Sequence, residues 1–165
     1  MGVFFTSDLH LGHRFGAKAR GFNDTLDHDL TIVQNINNSV HKNDKLFVLG
    51  DVLFSDSAFG SLHMINCRNT EMLFGNHDQY PIKKYLGFFS KIHGFRSYRQ
   101  MWLSHCPIHP QEVFRFKGNI HGHIHNGGAT GDLEDPRYYN VNVDFNDLKP
   151  VPLEVIEEHY AQIAS

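Results

Sequence analysis

The chain has 165 residues, 41% of them apolar, and a formal net charge of −3, which suits one domain over 1–165 with a sizeable core. Its 15 basic residues are scattered and outnumbered by 18 acidic ones, so binding along an extended nucleic acid through clustered Lys and Arg is not expected, while a short oligonucleotide substrate stays open. No apolar run approaches the ~20 residues of a membrane span, the first eight residues lack the pattern of a secretory leader, and Cys67 and Cys106 stand apart, so a cytoplasmic protein without disulfides is expected.

Val3-Phe4-Phe5-Thr6 is short, apolar and β-prone, and Ser7-Asp8 stops it. Leu26, Leu30, Val33, Ile36 and Val40 recur every three or four residues. That spacing predicts a helix, with Thr25 as N-cap and Asp27 and Asp29 near the positive end of its dipole. Lys45 to Leu49 reads as a buried strand ended by Gly50-Asp51, and Ser57 to Asn66 as a second helix. Glu71 to Phe74 reads as a third strand, ended by Gly75-Asn76-His77-Asp78. This alternation argues for a parallel sheet with crossover helices. Beyond it, Phe88 to His93, Arg99 to Ser104, Gly118 to Gly122 and Tyr138 to Val143 read as strands, and Leu153 to Ala164 as a helix. Two packed sheets flanked by helices are expected.

Thirteen histidines are several times ordinary usage, and histidine is the commonest metal ligand and acid/base near neutral pH. Ligand sites in open α/β sheets form beyond the carboxyl ends of the strands. Asp8 and His10 follow the first strand, Asp51 the second, and Asn76 and His77 the third. His105 follows the run Met101 to Ser104, and His123-Ile124-His125 follow Gly122. In an extended segment His123 and His125 would share one side, with Ile124 toward the core. Gly75 and Gly122, each just before candidate ligands, suit a close backbone approach.

Singly, each residue has a plain reading: Asp8 as a helix cap, Asn76 as a turn residue, His77 as a loop residue, His105 as a core histidine. Together, Asp8, His10, Asp51, Asn76, His105, His123 and His125 offer two carboxylates, one amide and four imidazoles without a thiolate. Such a set suits catalytic Mn, Fe, Co, Ni or Zn better than a Cys-rich structural zinc site. Seven groups exceed one ion's shell, and two ions sharing a bridging carboxylate account for all of them.

His13 and Arg14 read equally as substrate contacts or solvated loop, and Arg115 and Lys117 as surface charge. His28, His41, His63, His93 and His159 read as surface or packing residues, while His109 and His121 flank motif residues. Phe4, Phe5, Phe47, Phe74 and Phe88 read as core, and Cys106 as a small buried residue with nothing to stabilise a thiolate.

Asp8-Leu9-His10, Gly50-Asp51, Gly75-Asn76-His77-Asp78, His105 and Gly122-His123-Ile124-His125 occur in the order of the calcineurin-like metallophosphoesterase superfamily. The chain resembles that superfamily over its whole length. Its first block, Asp8 to His13, is similar to the Asp-x-His-x-Gly-His of small bacterial and phage phosphoesterases. The resemblance implies a four-layer α/β/β/α sandwich of two mixed β-sheets flanked by helices, without a cap domain. It implies two divalent ions, manganese before iron, zinc, nickel or cobalt. Asp8, His10, Asp51 and His125 would hold one, and Asp51, Asn76, His105 and His123 the other, with Asp51 bridging. His77 would face the substrate as the catalytic group, with Asp78 orienting it. Phe54 stands where some relatives carry an acidic residue or Tyr, which implies a lost polar contact.

The expected activity is hydrolysis of a small phosphodiester, nucleotide-like or other, by direct attack of a hydroxide bridging the two ions. His77 would stabilise developing charge or protonate the leaving oxygen. A broad phosphomonoesterase and a minimal nuclease are the alternatives among enzymes, and a metal-binding scaffold is the alternative outside them. The partner is a small phosphate ester, with no membrane and a homo-oligomer left open; the sequence names no substrate-binding residues.

Overall fold

The computed structural model describes residues 1–125 and 135–163. β1 (Val3–Thr6), β2 (Lys45–Leu49), β3 (Asn69–Leu73) and β4 (Lys91–His93) pair in parallel in the spatial order β4-β3-β2-β1. In a second sheet, β5 (Arg96–Tyr98), β6 (Met101–Leu103), β7 (Gly118–His121) and β8 (Tyr138–Asn140) lie side by side in chain order. β5 and β6 are antiparallel, and the other two pairings are parallel. The two-residue β9 (Val151–Pro152) returns to β1 antiparallel. Both sheets are therefore mixed.

The crossovers of the first sheet carry α1 (Arg14–Ala19), α2 (Thr25–Ser39), α3 (Phe59–Leu62) and α4 (Ile82–Tyr85). α5 (Pro110–Val113) links β6 to β7, and α6 (Leu153–Ile163) closes the described chain; Ala164, at the end of the expected helix, lies outside the described residues. Among those residues no helix is long and apolar enough to cross a membrane.

Strand alternation sorts the apolar residues into two cores. Leu46, Val48 and Met72 face α2, where Ile32, Val33 and Ile36 supply the facing stripe. Phe5, Phe47, Leu49 and Leu73 face the other way and meet Met101, Leu103 and Ile120 of the second sheet. Phe5 and Phe47 stack at 5.2 Å between centroids; full burial of such a ring contributes roughly 2–3 kcal/mol. α6 adds Leu153, Ile156 and Tyr160 to this inter-sheet core. The architecture is an α/β sandwich.

Local chemistry moves several boundaries. The N-cap of α2 is Asp24, not Thr25: its carboxylate accepts from the Leu26 and Asp27 amides at 2.7 and 3.1 Å, satisfying two of the free N–H groups of the first turn. The helix expected over 57–66 is a 3-10 turn, Asp56–Ala58, running into the four-residue α3, because Ser57, Gly60 and Ser61 carry little helix propensity. Arg99 and Gln100 are not strand. With φ of 48° and 61° they form the two-residue turn between Tyr98 and Met101, the loop that suits the twist of a hairpin. Phe88 and Phe89 close the turn after α4, hydrogen-bonding back to the Tyr85 carbonyl, and β4 begins only at Lys91.

Candidate metal centre

β1, β2 and β3 are parallel neighbours, so their carboxyl ends deliver Asp8, Asp51 and the 75–78 turn to one rim. The rim is held by the backbone. The Asp8 amide donates to the Gly50 carbonyl at 3.0 Å, the His10 amide to the Asp51 carbonyl at 3.1 Å, and the Gly122 amide to the His105 carbonyl at 2.9 Å. Asp8, His10, Asp51 and His123 have φ of 57°, 51°, 53° and 69°, left-handed values that cost non-glycine residues of order 1–3 kcal/mol each and cluster at functional sites. Glycines allow the approach. A Cβ on Gly75 would fall 2.1 Å from Asp51 Oδ1, and one on Gly122 2.4 Å from Asp8 Oδ2.

All seven candidate ligands come together. On one side, His10 Nε2 lies 3.5 Å from Asp51 Oδ2 and 3.8 Å from Asp8 Oδ1, and His125 Nε2 lies 3.5 Å from Asp8 Oδ1. Asp8 Oδ1 and His10 Nε2 are buried with no hydrogen-bond partner. Such groups are costly to desolvate unless something else satisfies them, and a cation does. On the other side, His105 Nδ1 donates to the Leu49 carbonyl at 2.8 Å, which leaves the Nε2 lone pair of the neutral ring facing the site. That nitrogen lies 2.9 Å from Asn76 Oδ1, 3.2 Å from His123 Nδ1 and 3.5 Å from Asp51 Oδ1. Asp51 thus turns one carboxylate oxygen to each group.

Asp8, His10 and His125 place ligating atoms within 4.8 Å of one another, as do Asp8, Asp51 and His105. These buried His and Asp groups can hold metal ions, and imidazole with carboxylate oxygen is a donor set for divalent transition ions.

The electrostatics follow from the same contacts. Burial alone would raise the Asp51 carboxyl, but the imidazoles of His10 and His105, each 3.5 Å from one of its oxygens, and a hydrogen bond from the His77 amide hold it far below the usual range. Burial lowers His10 and His123. Burial would lower His105, but the carboxylates of Asp51 and Asp8 and its bond to the Leu49 carbonyl together raise it. His125 is pushed up to about 9 by its hydrogen bond to Asp144 and by the Asp8 carboxylate 3.5 Å from its Nε2.

His123 and His125 reach the site differently from the extended arrangement. Residues 122–125 leave the sheet, and the Ile124 amide bonds the Gly122 carbonyl at 2.8 Å, a γ-turn with His123 at its centre. Ile124 is half-buried, and its carbonyl accepts from the side-chain Nδ2 groups of Asn140 and Asn142, both at 3.1 Å.

His77 is exposed beside the candidate ligands, its ring 6.4 Å from that of His10 and 4.9 Å from that of Phe54. Asp78 does not orient it. The Asp78 carboxylate accepts from the amides of Asp51 and Gly75 at 2.8 Å and of Val52 at 2.9 Å, and from the Tyr85 hydroxyl at 3.3 Å. Asp78 therefore shapes the turn that carries Asp51. Phe54 fills its place with ring contacts instead of a polar one, stacking on His13 at 4.1 Å and 16° and meeting His10 edge-on at 4.9 Å.

An outer network was not read from the sequence. Asp144 accepts from His125 Nδ1 at 2.5 Å and from Arg20 Nε at 2.6 Å. Burial would raise its carboxyl, but these cations hold it down at about 2. His28 is fully buried, with Nε2 2.9 Å from Arg20 and Nδ1 2.9 Å from Asp29. Asp29 in turn accepts from the Gly12 amide at 2.9 Å. The available signal was the alternation Asn140, Asn142, Asp144, which turns polar groups to one side.

Of the other histidines, His121 is buried, donates to the Gly122 carbonyl at 2.8 Å and is pushed down by burial to about 4. His109 is exposed and caps α5 through the Gln111 amide. Cys106 is exposed, contrary to expectation, because it lies on the site rim with Sγ near the ligating nitrogens of His105 and His123. Desolvation raises its thiol pKa, so the thiolate is disfavoured. His13 lines a cavity of about 520 Å³ with His10, Arg20, His125, Asp144 and Asp147, while Arg14 is exposed.

No family model matches the chain. An uncharacterized protein of Methanocaldococcus jannaschii is 29% identical over 163 residues, covering 93% of this chain and 88% of that protein. Among solved structures, a protein of unknown function from Aquifex aeolicus superposes with a TM-score of 0.77 at 22% identity, over 95% of this chain and 98% of its own. The nuclease MPE of Pseudomonas putida superposes with a TM-score of 0.50 at 17% identity, over 74% and 61%. The structural likenesses establish a shared α/β fold.

Proposed function

We propose that this chain is a metal-dependent phosphoric ester hydrolase with the four-layer fold and two-ion centre of the calcineurin-like metallophosphoesterases. The observation that carries the reading is Asp51. Its Oδ2 faces His10 and its Oδ1 faces His105, while Asp8 Oδ1 and His10 Nε2 lie buried without a partner. Asp8, His10, Asp51 and His125 hold one divalent ion, and Asp51, Asn76, His105 and His123 the other; manganese is the first candidate. Bound there, such ions supply Lewis-acid polarisation of phosphoryl oxygens and acidify water toward neutral pH.

The chain's own residues do the rest. The buried carboxylates and imidazoles would hold the ions at the rim, and His77, exposed beside them, is placed to give a proton to the leaving oxygen. The preferred substrate is a small phosphodiester. The nuclease activity named for the Pseudomonas putida neighbour is in keeping with a diester, and the net charge of −3 favours a short substrate over a long polyanion.

Paired assays on a model diester and a model monoester with Mn²⁺ test this. Turnover abolished by a chelator, and faster on the diester, is expected. Activity on neither substrate with both sites loaded would leave a scaffold and sink the catalytic claim.

A further inference from the structure

Two unlike hollows border the ligand cluster. One, of about 520 Å³, is lined by His10 and His125 together with Arg20, Asp144 and Asp147. The other, of about 320 Å³, is lined by Leu53, Phe54, His77, Gln79 and Tyr80. Both have the scale of small-ligand sites, but their chemistry differs. The first sets the charged Arg20, Asp144 and Asp147 beside the apolar Ala19, Val143 and Leu148. The second presents three aromatic rings and one amide, and no carboxylate, Lys or Arg.

The proton donor decides which hollow takes which substituent. A general acid must stand within hydrogen-bond reach of the leaving oxygen, so the leaving group occupies the hollow that His77 lines. The walls of that hollow are fixed in advance. Phe54 is stacked on His13 and set edge-on to His10, and Tyr80 packs edge-on against Phe59 at 5.5 Å and Tyr85 at 6.5 Å. Rigid aromatic walls favour a flat π-bearing guest, and the exposed Gln79 amide offers one donor and one acceptor group to its edge.

We infer that the substrate is a diester with an uncharged aromatic leaving group, of the aryl or nucleoside class, held by Phe54, Tyr80 and Gln79, and a polar retained group held beside Arg20 and Asp144. This rests on the hydrolase reading. The bond between phosphorus and the leaving oxygen breaks as a water oxygen bonds to phosphorus. The leaving oxygen takes a proton from His77, and the proton lost by the water restores it.

The test compares methyl benzyl phosphate with methyl cyclohexylmethyl phosphate, two diesters matched in size and leaving-group acidity. With the Mn²⁺-loaded protein, benzyl alcohol and not methanol is released, and kcat/KM for the benzyl ester is about tenfold higher, mostly through KM. Phe54→Leu, which keeps an apolar side chain but removes the ring, brings that ratio toward one. Equal kcat/KM for the two esters with normal turnover, or release of methanol, overturns the assignment while leaving the hydrolase reading intact. No turnover of either ester by loaded protein overturns both.

Discussion

The Nδ1 of His125 donates to Asp144 Oδ2 at 2.5 Å, and through Asp144 the ligand loop is tied back to the turn that carries Asp8. The other Asp144 oxygen accepts from Arg20 Nε at 2.6 Å, and Arg20 donates onward to the carbonyls of Asp8 at 2.7 Å and Leu9 at 3.0 Å. One guanidinium thus braces a left-handed turn through the Asp8 carbonyl, while its partner carboxylate aims an imidazole at the side chain of the same residue, Asp8 Oδ1. Two proposed ligands distant in sequence are set by a single ion pair.

Asp144→Ala should therefore lower Mn²⁺ affinity about 10–100-fold, the usual effect of removing a carboxylate behind a ligating imidazole. Asp144→Asn should fall between, because an amide oxygen still accepts from His125 but loses the ion pair with Arg20. Metal titration calorimetry reads this directly. Wild-type affinity in the Ala variant would mean that His125 is not a ligand.

Gly75→Ala separates the fold from the site. Gly75 has no positive φ, so alanine suits its own backbone, but the new Cβ would sit 2.1 Å from Asp51 Oδ1 and 2.4 Å from the Asp51 backbone nitrogen. The expected result is loss of bound metal with a stability cost of about 1–3 kcal/mol. Thermal melts and metal analysis of one preparation check both halves. Retained metal would show that Asp51 can shift without consequence.

His77→Ala should cut kcat by roughly 10²–10⁴-fold, the range of a general acid, with metal content intact; Asp51→Asn should lose metal and turnover together. Full activity of His77→Ala would remove its assigned role. Asp78→Ala should resemble neither. It strands three backbone amides that now bond one carboxylate, and each buried donor left unmade costs about 1–3 kcal/mol. Its signature is a lowered Tm.

The strands of the first sheet could be read from sequence because Val3-Phe4-Phe5 and Leu46-Phe47-Val48-Leu49 are continuous apolar runs, as strands buried on both faces require. Their ends then placed Asp8, Asp51 and Asn76. The short elements were hidden. β5 and its turn depend on Arg99 and Gln100 adopting positive φ, which their residue types do not announce. Asp78 was misassigned because its neighbour His77 is adjacent in sequence, whereas its partners are the amides of another strand end. Arg20, His28 and Asp144 are ordinary polar residues singly, and only the tertiary fold makes them a network. Phe54 was read as a missing polar contact, when its ring is the contact.

Away from the site, Glu71 on β3 is 1% exposed, with Lys45 Nζ at 2.5 Å, His93 Nε2 at 2.9 Å and Arg96 also bonded to its carboxylate. Burial would raise the Glu71 carboxyl, but these partners outweigh it and hold it below its ordinary value. A carboxyl lowered in the folded state binds its proton more weakly there than in the unfolded chain. Its contribution to stability is therefore present above the ordinary carboxylate range and is lost as pH falls through that range to the folded value. Glu71→Gln should cost on the order of 2 kcal/mol at neutral pH, and its Tm should converge on that of the wild type in acid. Parallel Tm–pH curves for the two proteins would show that the cations around Glu71 contribute nothing to the acid limb of stability.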